Sequence, residues 1–225
     1  MMDQRAELTW RDGEVPVSTR FDDPYFSLEN GLAETRHVFL SGNDLPGRMT
    51  DRFHIAELGF GTGLNFLATL AAWRGTGLPG AFRYTAFEAF PMSPAEMARA
   101  LAAFPALAAE AAELVALWQD AATGTPVNLP GAELRIMPGD ARATLPGWDG
   151  AAEAWYLDGF SPAKNPELWG EELMAQVHAH TAPGGTAATY TAAGFVRRGL
   201  AAAGFEVARV PGYGRKRHMT RATRP

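Results

Sequence analysis

From residue 53 onward, short apolar runs alternate with segments of helical periodicity, and no other feature constrains the fold as much. "FHIAEL" (53–58) reads as a buried strand, followed by glycines and a helix from about Leu64 to Trp73. "RYTAFEA" (83–89) is a second strand. It precedes helical "SPAEMARALAAF" (93–104), where Ser93 is placed to cap, Pro94 takes the first turn and Glu96 follows three after the cap. More helix runs through Leu117. "AELRIMPGD" (132–140) gives a third strand and "EAWYLDGF" (153–160) a fourth. "PELWGEELMAQVHAHT" (166–181) is an amphipathic helix closed by Pro183, Gly184 and Gly185. "TAATYT" (186–191) is a fifth strand, "AGFVRRGLAAAG" a helix, and residues 205–212 and 216–224 a closing antiparallel hairpin. The order predicts a doubly wound α/β sheet, mostly parallel, with ligands at the strands' carboxyl ends and an antiparallel strand at one edge.

Residues 1–50 break the pattern. "ELTWRDGEVPVS" reads as a small hairpin turning at Asp12-Gly13, and "SLENGLAETRHVFL" as a helix interrupted near Gly31. The expected organisation is an N-terminal cap over 1–50 and the main domain over 51–225. A chain of 225 residues suits one domain with such an appendage.

Absences exclude some chemistry. With no cysteine there is no disulfide, thiolate nucleophile or thiolate metal site. The five histidines are scattered, and no metal is expected. No apolar run reaches membrane-spanning length and the first residues lack an apolar core, so a cytoplasmic protein with no membrane partner is expected. The net charge of −5 is unevenly spread. Residues 197–225 hold eight basic residues against the single acid Glu206, a net +7, which leaves −12 on residues 1–196. A basic end on an acidic body permits a polyanionic partner where that end borders the site.

"AELGFGTGLNF" (56–66) links the first strand to the first helix. Glycines at 59, 61 and 63 allow turns and close approaches denied to other residues. The dinucleotide fingerprint wants a glycine at 64, where leucine stands, and no phosphate-loop lysine follows. The pattern E-x-G-x-G-x-G resembles the first motif of class I S-adenosylmethionine-dependent methyltransferases, though a glycine turn can also be purely structural. Glu88 at the second strand's tip offers two acceptors for ribose hydroxyls, and Asp140 at the third is placed for an adenine amino group. The cofactor expected is S-adenosylmethionine, held by Glu57, Gly59, Gly61, Gly63, Asn65, Glu88, Asp140 and Asp158.

The fourth strand runs into "YLDGFSPAKNPELW" (156–169), a carboxylate at a strand tip followed by a loop stiffened with Pro162 and Pro166. In a class I arrangement Asp158 faces the transferable methyl. A primary amine is mostly protonated at neutral pH, and a carboxylate can orient it and help remove its proton. The Phe160-Ser161-Pro162 turn stiffens the pocket wall. The alternative is that Asp158 only caps the following loop.

Four blocks then carry a more specific resemblance: "FDDPYFSLENGLAETRHVFLSGN" (21–43), "IAELGFGTGLNFL" (55–67), "AWYLDGFSPAKNPELW" (154–169), and "AGFVRRGLAAAGFEV" with "GYGRKRHM" (193–219). The chain resembles the methyltransferase part of the MnmC family, bacterial enzymes that modify the tRNA wobble uridine. The resemblance implies methylation of the 5-aminomethyl group of that uridine, with Asp158 and Phe160 at the reacting centre. Bifunctional members continue into a flavin oxidase, so the resemblance implies a stand-alone methyltransferase, or one excised from a longer chain, fed by a separate enzyme. Phe21, Asp23 and Tyr25 fall in the cap beside the cofactor, where aromatics stack on a base or form a small core; Phe26 has the same choice. Lys164 is placed to contact phosphate or orient the loop, and close to Asp158 it would lower that acid's proton affinity. Arg197, Arg198, Arg215, Lys216 and Arg217 would line the path of an anticodon stem-loop. The rival expectations are methylation of another amine, on a small molecule or a protein, and a non-catalytic module binding cofactor and tRNA.

Overall fold

The computed structural model of the chain describes residues 5–12, 14–27 and 30–225. A small antiparallel sheet comes first: β1 (Leu8–Arg11), β2 (Val15–Ser18) and β3 (Asp23–Pro24). The hairpin turns after Arg11, which pairs with Val15, and Asp12 takes a φ of +52°; Gly13 lies outside the described residues. The next helix, α1 (Gly31–Thr35), begins at Gly31 rather than breaking there. The Asn30 side chain accepts from the Ala33 N–H at 3.1 Å and so caps it. Leu28 and Glu29, expected in this helix, lie outside the described residues. The helix continues through a π turn over Arg36–Leu40 and a 3-10 turn over Ser41–Asn43.

The main chain alternates as its pattern predicts: β4 (His54–Leu58), α2 (Leu64–Thr76), β5 (Phe82–Glu88), α3 (Pro94–Leu101), α4 (Ala108–Ala121), β6 (Val127–Leu129), β7 (Ala132–Pro138), α5 (Ala141–Thr144), β8 (Ala152–Leu157), α6 (Glu171–Ala179), β9 (Thr181–Thr189), α7 (Gly194–Ala202), β10 (Glu206–Pro211) and β11 (His218–Thr223). The eight-stranded sheet has the order β10-β11-β9-β8-β4-β5-β7-β6. Strands β9, β8, β4, β5 and β7 run parallel; β6 is antiparallel at one edge, and at the other β11 runs antiparallel between β9 and the edge strand β10, which points the same way as the parallel set. The closing hairpin was legible, and β6 was not: three residues ending at the Pro130-Gly131 turn are too short for a periodic signal.

β4 lies at the centre and is buried along its whole length, as a strand covered on both faces must be. From it the chain crosses to β5 on one side and later returns as β8 on the other. The crevice between β4 and β8 is therefore the topological switch point, where ligands bind in such sheets.

Helices cover both faces. On one, α2 sets Phe66, Leu67, Leu70 and Trp73 against Ile55, Phe82, Tyr84 and Tyr156. Val38, Phe39, Leu40, Leu45 and Met49 share that core, so the segment before residue 50 supplies part of the main hydrophobic layer. Burying a phenylalanine such as Phe66 is worth about 3–5 kcal/mol against alanine. The other face packs Phe87, Trp148, Trp155, Trp169, Met174, Val196 and Phe205.

Of the predicted helix starts, one forms as read and one shifts. The capping box at Ser93 and Glu96 forms as its spacing requires. The helix expected over 166–181 is split into a 3-10 turn at Pro166–Trp169 and α6, because Gly170 is extended (ψ 152°). The break lets the Trp169 indole bury and donate to the Phe160 carbonyl at 3.0 Å.

Three long-range bonds join residues 34–44 to 211–221. Lys216 Nζ donates to Glu34 Oε1 at 2.7 Å, Arg221 to Asp44 Oδ2 at 2.5 Å, and the His37 ring pairs with the Pro211 carbonyl at 3.1 Å.

Candidate active site

A cleft of about 700 Å³ opens at the carboxyl ends of β4, β5, β7 and β8. Its floor is the turn after β4. Gly59 has φ +83°, and a Cβ there would lie 2.5 Å from the Asp158 carbonyl oxygen, so conformation and closeness both demand glycine. Gly61 lines the cleft under the Tyr25 ring, 3.1 Å from where its Cβ would be. Gly63 is set back from the cleft and serves packing: a Cβ there would strike Leu114 and Phe60.

Glu88, at the tip of β5, is buried and faces the cleft. Its Oε2 accepts the Gly61 N–H at 2.8 Å and its Oε1 the Phe90 N–H at 2.7 Å. Burial raises its pKa, and the backbone N–H groups oppose the rise. The Phe60 and Ala89 N–H groups also favour its charged form, and the carboxylate borders the cleft as an acceptor. Asp140, after β7, caps α5 and is held by Arg142, with Nη2 to Oδ2 at 2.6 Å; that guanidinium keeps its carboxyl below the usual range. An adenine amino group would have to share Asp140 with Arg142, which also lines the cleft.

Asp158 stands at the tip of β8, partly buried. Its Oδ2 accepts from Asn65 Nδ2 at 2.6 Å. Burial pushes its pKa up to about 7; the Asn65 hydrogen bond and the Lys216 ammonium restrain the rise, and Glu34 adds to it. Lys164 is not the cation that acts on it. Lys164 pairs with the Asp22 carbonyl oxygen, Asp22 Oδ2 at 3.3 Å and Asp23 Oδ1 at 3.6 Å, and does not line the cleft. Asp23 Oδ2 accepts the Ser161 N–H at 2.8 Å. The cap is thereby tied to the loop after β8.

An aromatic wall lines the same cleft as Asp158. Phe160 stacks on Phe21 at 4.8 Å and meets Tyr25 edge-on at 5.0 Å. Phe26 instead packs on Phe104 at 4.8 Å while still touching the cleft. Burial raises the Tyr25 and Tyr190 phenols, so both stay neutral. Tyr190 donates to the Gly159 carbonyl at 2.7 Å, and Lys216 sits 4.3 Å from the Tyr190 ring centroid.

Of the basic residues expected along a nucleic-acid path, Arg215 and Lys216 reach the cleft rim, and Arg197 and Arg217 lie off it. Arg197 is turned to the Ala192 carbonyl at 3.3 Å. Arg11 and Arg20 on the cap line the opposite rim, with Arg20 4.7 Å from the Phe90 ring centroid. Sequence reasoning missed these two, Thr35 and Tyr190. Tyr190 had a signal, since it follows the fifth strand's tip as Asp158 follows the fourth's. Thr35 had none: it bonds Asn65 across thirty residues of chain, at 2.9 Å.

Glu57 is fully buried beneath the cleft and does not line it. Oε1 accepts from Asn65 Nδ2 at 2.7 Å and Oε2 from the Tyr84 hydroxyl at 2.8 Å. Burial, and the nearby Asp158, raise its pKa well above the carboxylate range. Among the described residues no three His, Asp or Glu side chains gather as a metal site, and no single helix is long and apolar enough to cross a membrane.

A family model described as S-adenosyl-L-methionine-dependent methyltransferase matches residues 105–225. The bifunctional protein MnmC of Caulobacter vibrioides, named for tRNA 5-methylaminomethyl-2-thiouridine biosynthesis, is 50% identical over 98% of this chain and 38% of its own length. Its namesake in Chromobacterium violaceum is 43% identical over 98% and 34%. The chain thus spans under two-fifths of the curated relatives it matches. Among solved structures, MNMC2 from Aquifex aeolicus has the same fold, with a TM-score of 0.78 and 24% identity over all of this chain and 72% of that one.

Proposed function

The chain belongs to the family of S-adenosyl-L-methionine-dependent methyltransferases whose model its C-terminal half matches, and on that footing we propose that it methylates the 5-aminomethyl group of a tRNA wobble uridine. The observation that carries the amine assignment is Asp158: a carboxylate at the switch point, beside the glycine turn, with a pKa near 7 and an aromatic wall in the same cleft. The tRNA assignment rests on the names of the relatives and on the basic rim of Arg11, Arg20, Arg215 and Lys216.

The residues present fit the cofactor. Gly59 and Gly61 leave room that side chains would fill, Glu88 presents its carboxylate to the ribose hydroxyls, and Asp140 with Arg142 borders the adenine end. When bound, S-adenosylmethionine supplies an electrophilic methyl on a sulfonium. Asp158, ionised, accepts a hydrogen bond from the incoming ammonium, orients its nitrogen and takes a proton from it, leaving the lone pair free. Phe160, Phe21 and Tyr25 exclude water and give the uracil ring a face to stack on. Positioning of this kind supplies much of the acceleration of a displacement. The cap over residues 1–50 and, from the main domain over 51–225, Asp158, Phe160, Arg215 and Lys216 form the substrate side of the cleft, while the glycine turn, Glu88 and Asp140 of the main domain form the cofactor side. Arg215 and Lys216 contact phosphates of the anticodon stem-loop, with Arg197 and Arg217 further along its path. The reading places the enzyme in the cytoplasm, with a separate activity supplying the amine.

Purified protein with methyl-labelled cofactor would be offered tRNA carrying 5-aminomethyluridine, the same tRNA without it, and small amines. Label appearing in the first tRNA as 5-methylaminomethyluridine is expected. Transfer to small amines alone, or full turnover in Asp158→Ala, would overturn the assignment.

A further inference from the structure

Glu57 opens the glycine motif, and Asn65 lies in the first turn of α2. A single amide nitrogen joins two acids here: Asn65 Nδ2 donates to Glu57 Oε1 at 2.7 Å and to Asp158 Oδ2 at 2.6 Å. The two carboxyl oxygens are therefore within about 5 Å of each other. Asn65 Oδ1 is occupied by the Thr35 hydroxyl, which fixes the amide's orientation. The groups facing Glu57 are Asn65 from α2, Tyr84 and Glu88 from β5, and Tyr156 and Asp158 from β8 and its tip. None is a cation. Lys216, which acts on Asp158, is not among the groups acting on Glu57. A fully buried anion and a half-buried one beside it, with one cation acting on only the second, are not both sustained.

We propose that Glu57 is a positioning residue rather than a cofactor ligand: as a neutral carboxylic acid it holds Asn65 with its N–H aimed at Asp158, leaving Asp158 the sole anion of the pair. In the neutral acid the carbonyl oxygen Oε1 accepts from Asn65, and the hydroxyl at Oε2 donates to Tyr84 Oη, the reverse of the donation an ionised Glu57 receives. Neutral Glu57 spares Asp158 the repulsion of a second charge. At about 5 Å and an effective dielectric of about 20, that repulsion would move the Asp158 titration by about two pH units. In its kinetic consequences the inference rests on the amine-methylation reading; in its structural ones it does not.

The test compares Glu57→Gln and Glu57→Leu. Glutamine keeps the shape and hydrogen bonding of the protonated acid. It is expected to hold kcat within about threefold, leave the acid limb of the kcat/KM profile in place and leave cofactor affinity by calorimetry unchanged. Leucine deprives Asn65 of its partner and is expected to lower kcat about tenfold or more at unchanged cofactor affinity. Infrared difference spectra of ligand-free wild type against Glu57→Gln, at about pH 9 where Asp158 is ionised, should show a protonated carboxyl band present only in wild type. The inference is overturned if that band is missing, if the acid limb in Glu57→Gln falls by about two units, or if its cofactor affinity drops tenfold. The infrared and calorimetric results stand even if tRNA is not the acceptor or Glu57→Leu fails to fold.

Discussion

In the ligand-free protein, Asp158→Asn is expected to end turnover and raise the melting temperature together. Folding carries the Asp158 pKa from the ordinary 3.8 to about 7. Three units correspond to about 4 kcal/mol at 1.36 kcal/mol per unit. Asp158 borders an open cleft, and solvent screening reduces this to about 2 kcal/mol. The sign follows from proton binding. Between about pH 4 and 7 the folded state holds a proton that the unfolded state has released, so this stabilising contribution is complete below about pH 4 and is lost as the pH rises through 7. Asparagine cannot lose it and still accepts the Asn65 hydrogen bond. The variant's advantage should be near zero at pH 4, grow through neutrality and level off above 7. For a chain of 225 residues, 2 kcal/mol is about 4–8 °C. Calorimetric scans of both proteins across that range would measure it. A melting difference that is negative, or that does not change with pH, would refute the assignment of a raised carboxyl at this position.

Other perturbations have separate readouts. Gly59→Ala places a Cβ 2.5 Å from a carbonyl oxygen at a φ of +83°, and is expected to cost about 2 kcal/mol or more in denaturant melts while abolishing cofactor binding. Glu88→Ala removes the acceptors proposed for the ribose and unties Gly61; calorimetry should show cofactor affinity weakened by about 10- to 100-fold. Arg215→Glu should raise the Michaelis constant for tRNA and spare cofactor affinity. It should also flatten the salt dependence of tRNA binding by about one unit of log–log slope for each phosphate no longer neutralised. The same change at Arg217, away from the rim, should do less.

Where each part could be read from the sequence has a physical explanation. The parallel strands were legible because burial on both faces forces continuous apolar runs, and the capping box at Ser93 because its partners are three residues apart. The strand tips were legible because glycine and acid stand where a central strand ends. Contacts between distant segments were not. Nothing local told that Lys164 would turn to Asp22 and Asp23, that Arg142 would occupy Asp140, or that Glu57 would lie beneath the cleft rather than in it. The segment before residue 50 reads as an appendage because its periodicity differs, yet Val38, Phe39 and Met49 fill the same layer as α2.

The bonds joining residues 34–44 to 211–221 make the cleft depend on contacts of long sequence separation. During synthesis the glycine turn and Glu88 leave the ribosome long before the loop that brings Lys216 to Glu34. A nascent chain short of that loop lacks the cation that acts on Asp158 and one rim of the cleft. The rim that Lys216 forms is therefore completed only when a sequence separation of 182 residues is closed.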